Sequence, residues 1–208
     1  MFLIIKNSII NSGYILFELY NDLDKEGAAM GRKVVLYIAT SIDGYIADKD
    51  GKVGWLGGHD TKYKGDYGYQ EFIKTVDTVI MGMTTYNQLI TVLSPNEWVY
   101  KDMRCYVFTH QIMPENENVN FISGDIMELI QDLKKQEGKN IWICGGANII
   151  NQMVTKNMID EYYITIMPVI LGGGISLFTG NNPGRLLKME HLSEENGVIQ
   201  VSYSRRMK

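Results

Sequence analysis

Short apolar runs without polar alternation limit what this chain can fold into. Val34–Ala39 (VVLYIA) is one and Asp77–Met81 (DTVIM) another, while Arg104–Thr109 (RCYVFT) and Asn140–Cys144 (NIWIC) read as further strands. A strand that is apolar on consecutive residues is covered on both faces, as parallel strands joined by crossover helices are. Segments of helical period lie between these runs. Asp66–Val76 reads as a helix despite Gly68, and Thr84–Ile90 as a short one. Asp125–Gln136 reads as an amphipathic helix with Ser123 or Asp125 as its cap and Gly138 as its stop, and Asn148–Thr155 as another. Val119–Ile122 and Glu161–Pro168 add strands. Leu186–Leu192 and Val198–Arg205 form an antiparallel pair around Glu194–Gly197. Strands alternating with helices predict an α/β sheet with parallel crossovers and an antiparallel C-terminal edge.

A chain of 208 residues, 45% hydrophobic, makes one domain. At that size it buries roughly 70% of its unfolded surface and needs no disulfide or metal staple. The two cysteines, Cys105 and Cys144, exclude a disulfide-dense secreted scaffold and point to a reducing, cytoplasmic setting. A net charge of −4 lacks the basic excess of a nucleic-acid partner. No apolar run reaches the ~18 residues of a membrane span. His59, His110 and His191 stand far apart, and there is no C-x-x-C or H-E-x-x-H, so no metal site is expected. No G-x-S-x-G or Walker motif is present. No repeat, linker or low-complexity tract divides the chain.

Residues 1–32 form an N-terminal extension to the domain at 33–208. Asn7, Ser8, Asn11, Ser12 and Glu18 interrupt its apolar stretch, unlike a secretory signal. Two readings stand: an element packed on the body, or an upstream mis-start with translation beginning at Met30. Lys25-Glu26-Gly27 can be encoded by a purine run resembling a ribosome-binding site.

The chemistry concentrates where strands run into turns. In Val79–Tyr86 a buried strand meets Gly82 and a helix start bearing Thr84 and Thr85. Free backbone N–H groups and partial positive charge suit such a start to a phosphate, although a Thr-capped helix with a structural glycine reads equally from the residues. Trp142–Asn148 (WICGGAN) repeats the device with Gly145 and Gly146. It is not the G-x-G-x-x-G fingerprint. Two such turns at the C-terminal ends of strands suit a dinucleotide, one serving each phosphate-bearing end. Asp43-Gly44 opens a long Gly-rich loop reaching Trp55, which either flanks a planar ring or anchors the loop. Asp66 precedes the aromatic segment Tyr67, Tyr69 and Phe72. It is either an N-cap or the partner of a cationic heterocycle. Cys144 reads as a buried core thiol.

Taken in order, SIDGYIA, GWL, VIMGMTTY, VFTHQ, WICGGANI and YYITIMPVILGGGISLF resemble the dihydrofolate-reductase-like superfamily, and more closely its branch shared with the reductase domain of bacterial riboflavin biosynthesis. The resemblance covers about residues 33–205. It implies a single-domain, three-layer α/β fold with a central, mostly parallel mixed sheet of about eight strands. It also implies NADPH as cofactor and a homodimer.

Residue by residue, the resemblance puts Gly82, Thr84 and Thr85 near the adenosine phosphates, and Thr109 and His110 at the adenosine end. Gly145, Gly146, Ala147 and Asn148 fall at the pyrophosphate, Ala39 and Ile46 beside the nicotinamide, and Trp55 in the mobile loop. It gives Asp66 the carboxylate that grips the heterocycle and Thr165 the supporting hydroxyl; the residues themselves add Asp43 as a substrate contact and Tyr69, in the aromatic segment Tyr63–Phe72, as suited to stacking on the ring. Two departures follow. Met83 stands where an arginine often follows the turn glycine, which brings NADH into question beside NADPH. Cys144 stands where the riboflavin enzymes carry a glutamate. The implied activity is an NAD(P)H-dependent reductase passing hydride to a planar nitrogen heterocycle, similar to 5-amino-6-(5-phosphoribosylamino)uracil reductase or dihydrofolate reductase. The alternative is a non-catalytic, ligand-binding homodimer that keeps the fold.

Overall fold

The computed structural model describes residues 31–206; the extension through Met30, and with it the expected start there, lies outside the described residues. In chain order the elements are β1 (Val34–Ser41), β2 (Tyr45–Ala47), α1 (Tyr69–Lys74), β3 (Val76–Gly82) and α2 (Met83–Gln88), which a π-helical turn over Leu89–Leu93 continues. Then come β4 (Arg104–Phe108), β5 (Asn120–Ile122), α3 (Ile126–Lys134), β6 (Asn140–Gly145) and α4 (Ala147–Thr155). β7 (Glu161–Met167), β8 (Ile175–Ser176), β9 (Leu187–Glu195) and β10 (Val198–Arg205) follow.

Eight strands form one sheet in the order β5-β4-β3-β6-β1-β7-β10-β9. Only β10 runs against its neighbours, so the expected mostly parallel sheet with an antiparallel C-terminal edge is what the chain forms. All eight residues of β1 are buried, the apolar run Val34–Ala39 and the two hydroxyl residues Thr40 and Ser41 that follow it. Val34, Leu36 and Ile38 join the core under α3 and α4, with Ile130, Leu133, Ile150 and Met153. Val35 and Tyr37 face the opposite core, with Phe72 of α1 and Tyr86 of α2. The result is three layers: helices, sheet, helices.

The sequence misplaces two features. The helix expected over 66–76 is shorter, Tyr69–Lys74, because Tyr67 and Gly68 take left-handed conformations (φ 53° and 75°) and delay its start. Val76 has already joined β3. The small β2–β8 pair was not expected at all, since two- and three-residue strands inside Gly-rich segments carry no periodicity. The Asp125 cap is as read, its side chain accepting from Met127 N at 2.8 Å.

The end of the sheet where the parallel strands begin is closed by ion pairs. Arg32, 4% exposed, donates to the Asp77 carboxylate, to Thr78 Oγ1 at 2.6 Å and to the Lys139 carbonyl at 2.7 Å. Asp160 accepts from Val34 N and Lys134 Nζ, each at 2.8 Å, and pairs with Arg205. Among the described residues no helix is long and apolar enough to cross a membrane.

Candidate functional site

The other end, where β1, β3 and β6 finish, is built from turns. β3 and β6 are neighbours, with Met81 opposite Gly145, so the two glycine turns lie side by side. Gly82 is the N-cap of α2 and Gly146 that of α4, and neither helix receives a side-chain cap bond. Their first N–H groups are left for water or a ligand. Gly145 has φ 129° and is joined to Gly146 by a cis peptide bond. A Cβ placed on Gly146 would lie 3.4 Å from Thr85 Oγ1, and one on Gly145 3.8 Å from it. Both are ordinary van der Waals distances, and the φ of Gly145 is the one that calls for glycine there. Thr85 is buried and Thr84 exposed; Ala147 is half-buried and Asn148 exposed. Met83 leans on the core beside Tyr86.

Beyond the other side of β1, a polar floor lies beneath the turn that carries Asp66. β7 pairs Thr165 with Ala39 on one side and with Gln200 of β10 on the other. Gln200 Nε2 donates to the Tyr67 carbonyl and reaches Tyr37 Oη at 3.3 Å and Thr165 Oγ1 at 3.4 Å. Tyr37 Oη donates to the same Tyr67 carbonyl at 3.0 Å. Burial raises the Tyr37 phenol, and the nearby Asp66 carboxylate raises it further. Asp66 itself is half-buried and stands two residues before the N-cap, Gly68: Oδ1 accepts from Gly68 N at 3.1 Å and Oδ2 from Gln70 N at 2.9 Å. Each oxygen retains lone pairs for a further donor. Tyr69 is built into the aromatic wall, its ring 6.2 Å from those of both Tyr37 and Trp142, and burial raises its phenol.

Loops close over this end. Ala39, Tyr67, Met167 and Val198 form a small core on which Trp55 packs, its Nε1 donating to the Lys52 carbonyl at 3.2 Å. Ile46 packs on the α4 side of the sheet. Asp43 is engaged locally. Its two oxygens accept from Leu171 N at 3.1 Å and Gly172 N at 2.8 Å, pinning the β7–β8 loop. The Ser41 hydroxyl, together with those amides, holds its carboxyl below the usual value. Asn151 of α4 does the same for the next segment, donating to the Leu177 carbonyl at 3.0 Å and accepting from Thr179 N at 2.9 Å.

Thr109 and His110 follow β4 at this same end. Thr109 Oγ1 accepts from Gln111 N at 3.1 Å, and His110 is exposed. Cys144 is 1% exposed and burial raises its thiol, while burial pushes Cys105 up to about 12. Neither thiol is set up as a nucleophile. Among the described residues no three His, Cys, Asp or Glu side chains gather as metal ligands.

The sequence thus brings the two glycine turns together, and Asp66 with Thr165 across one floor. It does not yield Tyr37, Gln200 or Asn151. The available signals were faint: a hydroxyl in the otherwise apolar run Val34–Ala39, and one amide on β10 between Val198 and Ser202.

Comparisons with known proteins agree with this architecture. The family model described as the RibD C-terminal domain matches residues 32–199. The uncharacterized protein YwjB of Bacillus subtilis (strain 168) is 41% identical over 177 residues, 85% of this chain and 99% of that protein. The crystal structure of a "Putative riboflavin biosynthesis protein" from Shewanella sp. PV-4 superposes with a TM-score of 0.75 at 27% identity, covering 84% of this chain and 99% of that one. Dihydrofolate reductase from Enterococcus faecalis, complexed with NADP(H), shares the fold at a TM-score of 0.59 and 15% identity, over 84% of this chain and 97% of that one.

Proposed function

The chain belongs to the RibD C-terminal domain family, and from that premise we propose that it is a nicotinamide-dependent reductase of a planar nitrogen heterocycle. The observation that carries this reading is the pair of adjacent glycine turns at uncapped helix starts, with the Thr85 hydroxyl against Gly146. Backbone N–H groups that no side chain caps suit the phosphates of a dinucleotide. NADP(H) is what the Enterococcus reductase of the same fold holds.

In this reading the turn Gly145–Asn148 holds the pyrophosphate, and Gly82, Thr84 and Thr85 the adenosine phosphate end, with Thr109 and His110 beside the adenosine. Ala39, Ile46 and Trp55 shape an apolar seat for the nicotinamide. The cofactor supplies hydride when bound. The protein's own part is to orient, to exclude water and to manage one proton. Asp66 accepts an N–H of the heterocycle or delivers a proton at that nitrogen. Thr165, through Gln200, fixes the floor beneath it. Asp43 acts through the loop it pins.

Trp55, Trp98 and Trp142 report on binding. Titration with NADPH and with NADH is expected to quench their fluorescence at micromolar concentrations. A protein that binds neither overturns this reading, and one that binds but never oxidises the cofactor with any heterocycle is the non-catalytic form.

A homodimer completes the reading. Ile199, Val201 and Tyr203 share one face of β10, opposite Glu194, Leu192 and Met189 of β9. Met189, Leu192 and Ile199 are 58%, 56% and 41% exposed there, an apolar surface of the kind subunits cover. Sedimentation at micromolar concentration tests this, with a monomer as the contrary result.

A further inference from the structure

We infer that the substrate taken by this site is an uncharged heterocycle without a phosphate or carboxylate tail; the inference rests on the reductase reading above. The chain has five arginines, Arg32, Arg104, Arg185, Arg205 and Arg206. All five stand at the end of the sheet opposite the candidate site. Arg32 precedes β1 and pairs with Asp77, and Arg205 ends the antiparallel β10 and pairs with Asp160. Arg104 opens β4 and donates to Gln136 at 2.7 Å, beyond the C-terminus of α3. Arg185 donates to the carbonyl of Thr155, the last residue of α4, at 3.0 Å. Arg206 N bonds to the Leu186 carbonyl, just before β9 begins.

At the site end the pattern is reversed. The turns 82–85 and 145–148 and the segment 168–184 contain no ionisable residue. Residues 42–68 carry four lysines and five aspartates, a balance of the wrong sign for an anion. Lys52 is paired with Asp50 at 3.5 Å, and the stem of Lys49 lies along Gly173. Asp66 stands beside the polar floor. Fixed positive potential at this end comes from the uncapped start of the nine-residue α4, which the cofactor's phosphates would occupy.

Recognition of a phosphate or carboxylate tail draws on a guanidinium fork or a convergent pair of cations. Among the described residues no guanidinium stands at this end to receive a tail, and Lys62 and Lys64 are exposed lysines on a segment where aspartates outnumber lysines. That balance lowers an anion's affinity most at low ionic strength. A neutral ring, by contrast, needs only the hydrogen-bonding groups of the floor and the aromatic wall.

The test uses the full chain saturated with NADPH and two matched pairs. One is 7,8-dihydrobiopterin against 7,8-dihydrofolate, which share the dihydropterin ring and differ at C6, a neutral dihydroxypropyl chain against a p-aminobenzoylglutamate with two carboxylates. The other is 5-amino-6-ribitylaminouracil against its 5′-phosphate. Binding is measured by calorimetry at low and at 0.5 M salt, chosen as roughly threefold and more above physiological strength. The neutral member of at least one pair is expected to bind about tenfold tighter at low salt, with the gap narrowing at high salt. Equal or tighter binding of an anionic member overturns the inference. So does a protein that binds NADPH but none of the four compounds. Failure to bind NADPH or NADH overturns the reductase reading beneath it instead.

Discussion

Gln200, on β10, and Tyr37, on β1, converge from separate strands on one backbone oxygen, the carbonyl of Tyr67. That residue holds a left-handed conformation one position after Asp66. A buried donor and a half-buried one on a single carbonyl fix a turn that the backbone alone disfavours. Gln200→Ala and Tyr37→Phe are each expected to destabilise the protein by about 1–2 kcal/mol. The double variant is expected to exceed their sum by at least ~0.5 kcal/mol, because only then does the carbonyl lose both of these donors. Urea unfolding of the four proteins measures the coupling. Simple additivity means the two donors do not share the turn.

Asp66→Asn separates the two tasks read for this carboxylate. Asparagine keeps one oxygen and can cap one of the two amides that Asp66 now holds, Gly68 N or Gln70 N. The stability loss is expected to be small, roughly 0.5–1 kcal/mol. Hydride transfer to any active heterocycle is expected to fall by about 100-fold or more, the scale of general acid–base help. Cofactor affinity stays within about twofold, since Asp66 and the α4 turn lie on different sides of β1. Unchanged turnover leaves Asp66 a capping residue only.

Met83→Arg tests how the adenosine phosphate end discriminates. Met83 is half-buried at the first position of α2, directly after Gly82. An arginine stem can lie over the same apolar surface while its guanidinium reaches solvent. There it would meet the extra phosphate of NADPH and nothing of NADH. The variant is expected to bind NADPH about tenfold tighter, a gain of ~1.4 kcal/mol suited to a charge-assisted contact, with NADH unchanged. Fluorescence titration of both cofactors reads the ratio, and equal changes for both would assign the effect to packing.

The fold was legible because β1, β3 and β6 write burial on both faces as largely apolar runs, and because each glycine turn follows its strand directly. Both are local facts. What was not legible depends on register and on distance along the chain. Gln200 reaches Tyr37 only because β10 pairs antiparallel with β7, setting Gln200 opposite Thr165. The delayed start of α1 depends on the Tyr67 backbone, held by those same two side chains. Asp43 reads as a turn residue or a ligand contact, yet it engages Leu171 and Gly172, 128 and 129 residues away. The positions of the five arginines likewise acquire meaning only once strand direction separates the two ends of the sheet.

That long-range contact of Asp43 sets an acid limit on the β7–β8 loop. The Ser41 hydroxyl and the amides of Leu171 and Gly172 favour the ionised form, lowering the carboxyl below its ordinary value of 3.8. A group lowered in the folded state stabilises fully above its unfolded value and loses that contribution as pH falls through the folded one. The loop is therefore expected to be fully held above about pH 4 and to loosen only in more acid solution. Amide NMR shifts of Leu171 and Gly172, followed from pH 6 downward, are expected to move together with a midpoint below 3.8. In Asp43→Asn they are expected to start displaced and not to titrate. A midpoint at or above the ordinary value would show that the carboxylate does not hold the loop.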